Sequence, residues 1–423
     1  MNQRRLVRWG AGVAAVALSA TACSNAASSG GSAAAGNDST ATASTSATDS
    51  APDPFATENK ATGTPITIGE LGLENGPVTF PGYRMAAEAT IEYVNTYLGG
   101  LGGHPIVLEH CETDGQPATS QRCANQVLDK KPAFILGGAD TGATGAYEVW
   151  DRANIAVVGG VTFTPAEQNY ANGVMFSALS GPDNAAVATY AKAQGVDSSV
   201  VVYTSDTQGT RTGDGAQSFL KNVGMSKVSG VPVPPTAADV SAQAATVVTS
   251  NPDSVFVTTP VGCASMLKSL DQLGFKGTKL VIDPCTDPKV IQAAGNGAEG
   301  MIWGGPIDLP NSTPDATLMM QILHKYAPDA PLTTITFLAV ESVMNIQKYL
   351  SPIADNLATE SILGAFKSGT DNENFAGHPF TCDGQQIPGA ISVCNGYQHL
   401  FQYADGKTSV IGDWTDPAPA MGG

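Results

Sequence analysis

Short apolar runs rich in β-branched residues alternate with longer amphipathic stretches from residue 65 onward. The short runs have the length of buried strands, and the longer stretches repeat apolar residues at helical spacing. The predicted strands cover residues 66–71, 106–109, 133–136, 155–158, 200–203, 254–257 and 279–282. The predicted helices cover residues 83–97, 120–128, 143–152, 215–223, 240–249, 264–273, 317–326 and 337–350. This alternation predicts an α/β protein with parallel sheets that are covered on both faces.

The number of βα units indicates two lobes. About a dozen units exceed one ordinary sheet, so we predict two doubly wound parallel-sheet lobes. The C-terminal part differs, because residues 397–403 and 408–411 are predicted to form a hairpin. Ligands of open parallel sheets bind outside the carboxyl ends of the strands. The Gly, Thr and Asp residues of those loops suit polar recognition, although turn formation and helix capping explain them equally well.

The N-terminus has the order of an export signal. Three arginines among the first eight residues precede a short apolar segment, residues 11–18, and small residues then lead to Cys23. A Cys in this position resembles the lipid-attachment site of bacterial lipoproteins. We therefore expect residues 1–22 to be removed and Cys23 to anchor the protein to the outer face of the cytoplasmic membrane. An ordinary signal peptide with an incidental Cys, and export by either the general or the twin-arginine route, stay open.

A low-complexity segment follows the signal. Residues 24–62 are nearly all Ser, Ala, Thr, Gly, Asn and Asp, and Phe55 is their only aromatic residue. Such a segment buries too little apolar area to offset the entropy lost on ordering. We predict a disordered tether over residues 23–63, with the folded part beginning near Thr64.

Composition and motifs argue against several classes of function. The 423 residues include 21 Lys+Arg and 38 Asp+Glu, a net charge of −17, which argues against nucleic-acid binding. After the first thirty residues, no apolar run reaches the roughly 20 residues that span a bilayer, so a polytopic membrane protein is excluded. The common hydrolase and phosphate-binding motifs are missing from the sequence. Asp140-Thr141-Gly142 matches the aspartic-protease signature, but that chemistry needs a second Asp, which only a homodimer would supply.

Six cysteines beyond Cys23 fall into three sequence-local pairs. An even number of cysteines in an exported chain favours disulfides, and we predict that neighbours pair. The predicted disulfides are Cys111–Cys123, Cys263–Cys285 and Cys382–Cys394. We predict neither a cofactor nor a metal site, because C-x-x-C is missing and no His has ligand-like spacing from two Cys. His104 and His110 are interpreted as ordinary surface or strand-end residues.

Three stretches together resemble a known family. The first joins residues 66–69 to 75–77, 82–83 and 93–95, the second joins residues 112–114 to 133–138, and the third joins residues 253–257 to 270–275 and 297–300. Each motif is loose, but their order and spacing over about residues 65–415 resemble the substrate-binding lipoproteins of ABC importers of the branched-chain amino-acid type. That family has the type I periplasmic-binding fold.

The resemblance implies a cleft between two lobes that closes on a solute and delivers it to an ABC permease without catalysis. It places three hinge crossings near residues 181, 308 and 378. The implied N-terminal lobe comprises residues 64–181 and 309–378, the implied C-terminal lobe comprises residues 182–308 and 379–415, and residues 416–423 form a flexible tail. The protein is expected to be a monomer. A solute-sensing receptor subunit would use the same cleft, and the sequence does not separate the two functions.

The resemblance also implies a near-lobe site. In the family's amino-acid binders, hydroxyls and backbone amides after the third and fourth strands hold the ligand carboxylate, which fits the bonding capacity of these groups. That position falls on Thr141. The neighbouring candidates are Ala139, Asp140, Gly142, Thr162, Phe163 and Thr164. The sequence predicts a small polar solute such as an amino acid or an amide. Because Asp140 would repel a carboxylate unless it pairs with a cation, a leucine-type ligand is not settled and a cationic solute stays open.

The far lobe departs from the family pattern. The family's acidic residue aligns with Cys285, and an aromatic position aligns with Pro260. Carboxylates nearby are alternative partners for a ligand ammonium group. The far-lobe candidates are Asp206, Asp283 and Asp287, to which the sequence adds Thr259 and, from the near lobe, Asn75.

Overall fold

The computed structural model describes residues 53–76, 78–179, 181–237 and 239–422, so the export signal and Cys23 lie outside the described residues. The ordered part begins earlier than predicted. Phe55 packs edge-on against Tyr93 and Tyr97, and the Asn59 N–H donates to the Thr96 carbonyl at 2.9 Å. The predicted disordered tether is therefore wrong from Phe55 onward, because this one aromatic side chain supplies the apolar contacts that the rest of the segment lacks.

A five-stranded parallel sheet forms the core of the first lobe, in the order β2-β1-β3-β4-β5. Its elements are β1 (Ile66–Leu73), α1 (Pro81–Tyr97), β2 (Ile106–Thr113), α2 (Pro117–Leu128), β3 (Ile135–Leu136), α3 (Thr144–Ala153), β4 (Val157–Val158), α4 (Pro165–Gln168) and β5 (Gly173–Val174). Fully buried side chains of the sheet, such as Ile68 and Leu136, form one cluster with Tyr83 and Val94 of α1. The predicted strands and helices of this lobe are confirmed, with β5 and the short helix α4 in addition.

A seven-stranded sheet forms the second lobe, in the order β12-β11-β10-β9-β8-β6-β7. Its elements are α5 (Pro182–Ala193), β6 (Ser198–Thr204), α6 (Thr207–Asn222), β7 (Lys227–Val233), α7 (Ser241–Thr249), β8 (Ser254–Val257), α8 (Cys263–Gln272), β9 (Thr278–Val281), α9 (Pro288–Ala294), β10 (Met301–Gly305), β11 (His399–Ala404) and β12 (Lys407–Val410). Strands β6 to β10 are parallel, whereas β11 runs antiparallel to β10 and β12. The predicted C-terminal hairpin is confirmed.

Helices late in the chain complete both lobes. They are α10 (Pro314–Tyr326), α11 (Thr334–Leu350), α12 (Thr359–Lys367) and α13 (Ala418–Met421). Side chains of α10, α11 and α12 enter the core of the first lobe. Ala420 of α13 is fully buried in the second lobe, and its carbonyl accepts from the Asn222 side chain at 2.9 Å. The predicted flexible tail is therefore wrong for residues 418–421. None of the described helices is both long and apolar enough to cross a bilayer.

The third connection between the lobes lies later than the sequence placed it. Val393 pairs with Met175 beside β5, and Phe380 is buried in the core of the first lobe. Residues 380–394 therefore pack with the first lobe, although the predicted boundary at 378 gave them to the second. The chain crosses near Gln398, whose side-chain amide donates to the Ala178 carbonyl at 3.0 Å.

All three predicted disulfides are present. Their Cα atoms lie 5.5 Å apart in Cys111–Cys123, 5.9 Å apart in Cys263–Cys285 and 4.3 Å apart in Cys382–Cys394. The first joins β2 to α2, and the second joins the start of α8 to the turn after β9. The third closes a loop that packs on the first lobe.

Candidate functional site

The loops that follow β1, β3 and β4 pack tightly at one edge of the first sheet. The Leu73 N–H donates to the Ala139 carbonyl at 3.0 Å, and the Val161 N–H donates to the Gly138 carbonyl at 3.0 Å. A Cβ atom on Gly138 would lie 1.8 Å from the Leu71 carbonyl oxygen. Because backbone meets backbone here without side chains between, the three loops form one wall, which we call the near wall.

Thr141 and Asp140 face in opposite directions on this wall. Asp140 is only 3% exposed. Its Oδ2 accepts from the Ser120 hydroxyl, and its Oδ1 accepts from the Gly142 N–H at 3.0 Å. Thr141 is exposed, and within the segment 139–142 it is the residue that faces solvent. The carboxylate of Asp140 braces the loop from inside, which argues against both repulsion of a ligand carboxylate and protease chemistry.

The loop after β4 contributes an aromatic surface. Phe163 stacks on Phe80, which precedes α1, with ring centroids 5.4 Å apart and an angle of 24° between the rings. Thr162 is fully buried, whereas the Thr164 N–H donates to Glu167 at the start of α4. Phe80 was missed in the sequence because only the fold brings the end of the loop after β1 beside Phe163.

A buried acidic group supports the near wall from behind. Asp140, Tyr147, Trp150 and Glu167 line a cavity of about 10 Å³, roughly the size of one water molecule. Burial raises the pKa of the Glu167 carboxyl to about 8, although hydrogen bonds from Thr164 oppose the shift. At neutral pH Glu167 is therefore mostly protonated, which spares the lobe the cost of a buried charge at this position.

The opposite surface, which we call the far wall, is built on the loops after β8 and β9. The disulfide between Cys263 and Cys285 links them. Asp283 Oδ1 accepts from the Thr334 hydroxyl at 3.0 Å, and this hydrogen bond joins the second lobe to the first residue of α11. Burial raises the pKa of the Asp283 carboxyl to about 6. Thr334 was missed in the sequence, although Thr333-Thr334 before an apolar stretch is a helix-start signal.

The remaining candidates bond within the described residues of their own lobe. Asp206 accepts from the Gly209 N–H at 2.7 Å as the N-cap of α6, and Asp287 accepts from the Lys289 N–H at 2.7 Å as the N-cap of α9. The hydroxyl of Thr259 accepts from the Val261 N–H at 3.0 Å. Asn75 is exposed and donates to Glu112 Oε2 at 3.1 Å. The structure therefore favours Thr141, Phe163 and Asp283 among the predicted residues.

Comparisons with known proteins agree with this architecture. "Leu/Ile/Val-binding protein homolog 3" of Brucella melitensis is 33% identical over 79 residues, which are 18% of this chain and 21% of that protein. The matched region thus spans about a fifth of the relative's length.

Solved structures show the same fold over most of the chain. A fatty acid ABC transporter substrate-binding protein from Thermomonospora curvata has a TM-score of 0.68 and 15% identity, covering 86% of this chain and 96% of its own. An ABC transporter solute-binding protein from R. palustris in complex with 4-hydroxybenzoate has a TM-score of 0.67 and 17% identity, covering 83% and 97%. The sequence model described as "Periplasmic binding protein" matches residues 65–393. The chain belongs to the periplasmic binding protein family, whose members bind solutes rather than catalyse reactions.

Proposed function

We propose that this protein is the solute-binding component of an ABC importer, which captures a small polar solute between the near and far walls and delivers it to permease subunits. The observation that carries the proposal is the hydrogen bond between Asp283 and Thr334, because it brings the loop at the carboxyl end of β9 in the second lobe against the start of α11 in the first. In open α/β sheets, that edge is where ligands bind.

The chemistry of the walls supports a solute with a carboxylate, such as an amino acid. Thr141 offers an exposed hydroxyl, and Asp140 is turned away into the lobe. The Phe80 and Phe163 rings give an apolar surface for the rest of the solute. The names of the similar proteins include branched-chain amino acids, a fatty acid and 4-hydroxybenzoate, and each of these compounds carries a carboxylate.

The same proposal places the mature protein outside the cytoplasmic membrane. A charged, an apolar and a small-residue segment precede Cys23 in the order of a lipoprotein signal. We expect a monomer that is held at the membrane by the lipid on Cys23, where it meets the permease.

A thermal-shift screen of the intact chain against amino acids, amides, polyamines and small carboxylic acids tests the proposal. A ligand at a hundredfold excess over Kd stabilises by about 2.7 kcal/mol. For the confirmed ligand, Thr141→Val should weaken binding by about 1–3 kcal/mol, or 5- to 150-fold in Kd, because it leaves the solute's polar atom unpaired. Thr246→Val on α7 is the matched control, since Thr246 is exposed on the second lobe and its hydroxyl donates to the Ala242 carbonyl of its own helix at 3.1 Å.

Small-angle scattering measures closure in the same samples. The radius of gyration should fall when the ligand is added. A confirmed ligand that binds Thr141→Val and the wild type equally well and produces no compaction would contradict the site.

A further inference from the structure

A second cluster of ionisable side chains lies at the carboxyl ends of β1 and β2. The parallel register places Glu70 opposite His110 and Gly72 opposite Glu112. His110 and Glu112 are two residues apart and therefore point to the same face of β2. With Glu74, which follows β1, they offer one ring nitrogen and two carboxylate oxygens that all lie within 4.8 Å of one another.

His110 is oriented by a buried carboxylate. Its Nδ1 shares a hydrogen bond with Glu70 Oε2, and Glu70 is fully buried. The Nε2 atom of His110 points the other way and lies 3.2 Å from Glu74 Oε1. Histidines that bind metals are commonly held in this way, with one ring nitrogen on a carboxylate and the other on the ion.

Two atoms of the cluster lack a hydrogen-bond partner in the described part of the chain. They are the buried Oε1 of Glu70 and Nε2 of His110. A Cβ atom placed on Gly72 would lie 3.1 Å from His110 Cε1, 3.2 Å from Glu70 Oε1 and 3.4 Å from Glu74 Oε1. The bare Cα of Gly72 thus leaves a small notch, and polar atoms surround it.

The charges around the notch do not balance. Arg84 donates to both oxygens of Glu74, at 2.7 and 2.9 Å, and to Glu88 at 3.1 Å. One guanidinium thus serves two carboxylates, while the carboxyl groups of Glu70 and Glu112 lie in the same cluster. Each Glu74 oxygen keeps a second lone pair after accepting from Arg84. An added divalent cation would reduce the excess negative charge.

We propose that Glu74, His110 and Glu112 bind a divalent transition-metal ion, with zinc the best match. One imidazole and two carboxylates are ordinary zinc ligands, and three protein ligands leave a fourth position for water. The disulfide at Cys111 fixes the strand between the two β2 ligands to α2. The spacing of His from Cys pairs gave no hint of this site, because its ligands are one His and two Glu. Glu74 lies in the loop after β1 and thus belongs to the near wall, but the proposed solute contacts use Thr141, Phe80 and Phe163, so the metal site goes beyond solute capture.

Zinc titration of the intact chain, expressed without a histidine tag and stripped with a chelator, tests the site by calorimetry. We expect one zinc ion per chain and a zinc-dependent rise in melting temperature. Glu112→Gln and His110→Gln should each weaken zinc binding at least tenfold, since loss of an outer partner alone costs 10- to 100-fold. Glu109→Gln is the matched control, because Glu109 lies on the opposite face of β2.

The variants keep the test decisive even if one of them folds poorly. Glu112 is exposed, so Glu112→Gln should melt like the wild type when zinc is absent. If no metal binds, a protonated His110 would instead donate to Glu70 through Nδ1 and to Glu74 through Nε2. An absence of saturable zinc binding, or equal affinities in Glu112→Gln and Glu109→Gln, would support that arrangement and overturn the metal site.

Discussion

The near and far walls both lie at the carboxyl ends of parallel strands, but different interactions hold them in place. The near wall is held by backbone packing at glycines and by the inward carboxylate of Asp140, and its loops after β3 and β4 contain no cysteine. The far wall is linked by the disulfide between Cys263 and Cys285. The near wall thus depends on glycines that let backbone segments pack closely, whereas the far wall depends on the oxidation of two cysteines to a disulfide.

The two sheets also differ in the length of their strands. Strands β3, β4 and β5 of the first sheet have two residues each, whereas the strands of the second lobe have four to seven. A short strand contributes few ladder hydrogen bonds, so the near wall gains its rigidity from contacts beyond the ladder. These include the Tyr83 hydroxyl, which donates to the Gly137 carbonyl, and the Ser342 hydroxyl, which accepts from the Gly160 N–H at 3.2 Å.

The largest effect should come from breaking the far wall. Replacing Cys263 and Cys285 together by Ala should lower the free energy of unfolding by about 3 kcal/mol in the loop-entropy account. Solute affinity should fall as well, because Asp283 lies two residues from Cys285 and loses its tether. Denaturant unfolding and calorimetry with the confirmed solute measure the two effects.

The disulfide between Cys382 and Cys394 provides the control for this experiment. Its double Ala variant should lose a similar amount of stability and keep its solute affinity, since the loop packs on the first lobe away from the far wall. Equal losses of affinity in both double variants would show that the far wall does not depend on its own disulfide.

The stability of the near wall should instead be sensitive to the addition of a single methyl group at Gly138. Gly138→Ala should lower the free energy of unfolding by about 1–3 kcal/mol, because the new Cβ meets the rigid Leu71 carbonyl. Gly364→Ala is the matched control: Gly364 is exposed inside α12, and a Cβ there meets nothing within 4 Å. That control should gain about 0.5–1 kcal/mol, as Ala favours a helix over Gly. Thermal melts that rank the two variants alike would refute close packing at Gly138.

Much of the fold could be predicted from the sequence because buried parallel strands are continuous apolar runs. Strand β7 escaped prediction, since this edge strand is largely exposed and contains Gly230 and Pro232. Helix α5 escaped as well, because it is buried on most sides and shows little apolar periodicity. In these two cases the environment of an element, rather than its own pattern, decides its structure. The buried strand β10 (Met301–Gly305) was not predicted either, although all five of its residues are buried.

The site was less predictable than the fold. The family resemblance located Thr141, but the orientation of Asp140 depends on Ser120, which lies twenty residues away and in another element. The contact between Phe80 and Phe163 and that between Asp283 and Thr334 likewise join distant segments. Such pairs form only once the sheets are assembled, and no local motif encodes them.

The smallest predicted effect is the pH dependence of stability that Asp283 gives to the far wall. Burial raises the pKa of Asp283 from 3.8 to about 6, so the folded state holds this proton more tightly than the unfolded chain. The stability that protonation contributes is fully present below about pH 4 and is lost as the pH rises through about 6. Because Asp283 is only partly buried, we expect a loss of about 1 kcal/mol or less.

Asp283→Asn isolates this contribution, since Asn stays neutral while its carbonyl still accepts from Thr334. The difference in unfolding free energy between wild type and variant should change between pH 4 and pH 7, with the wild type losing relative stability as the pH rises. Glu167 on the near wall also titrates, at a pKa of about 8, but its contribution cancels in the difference. A difference that is constant over this range would mean that Asp283 is solvated in the folded protein.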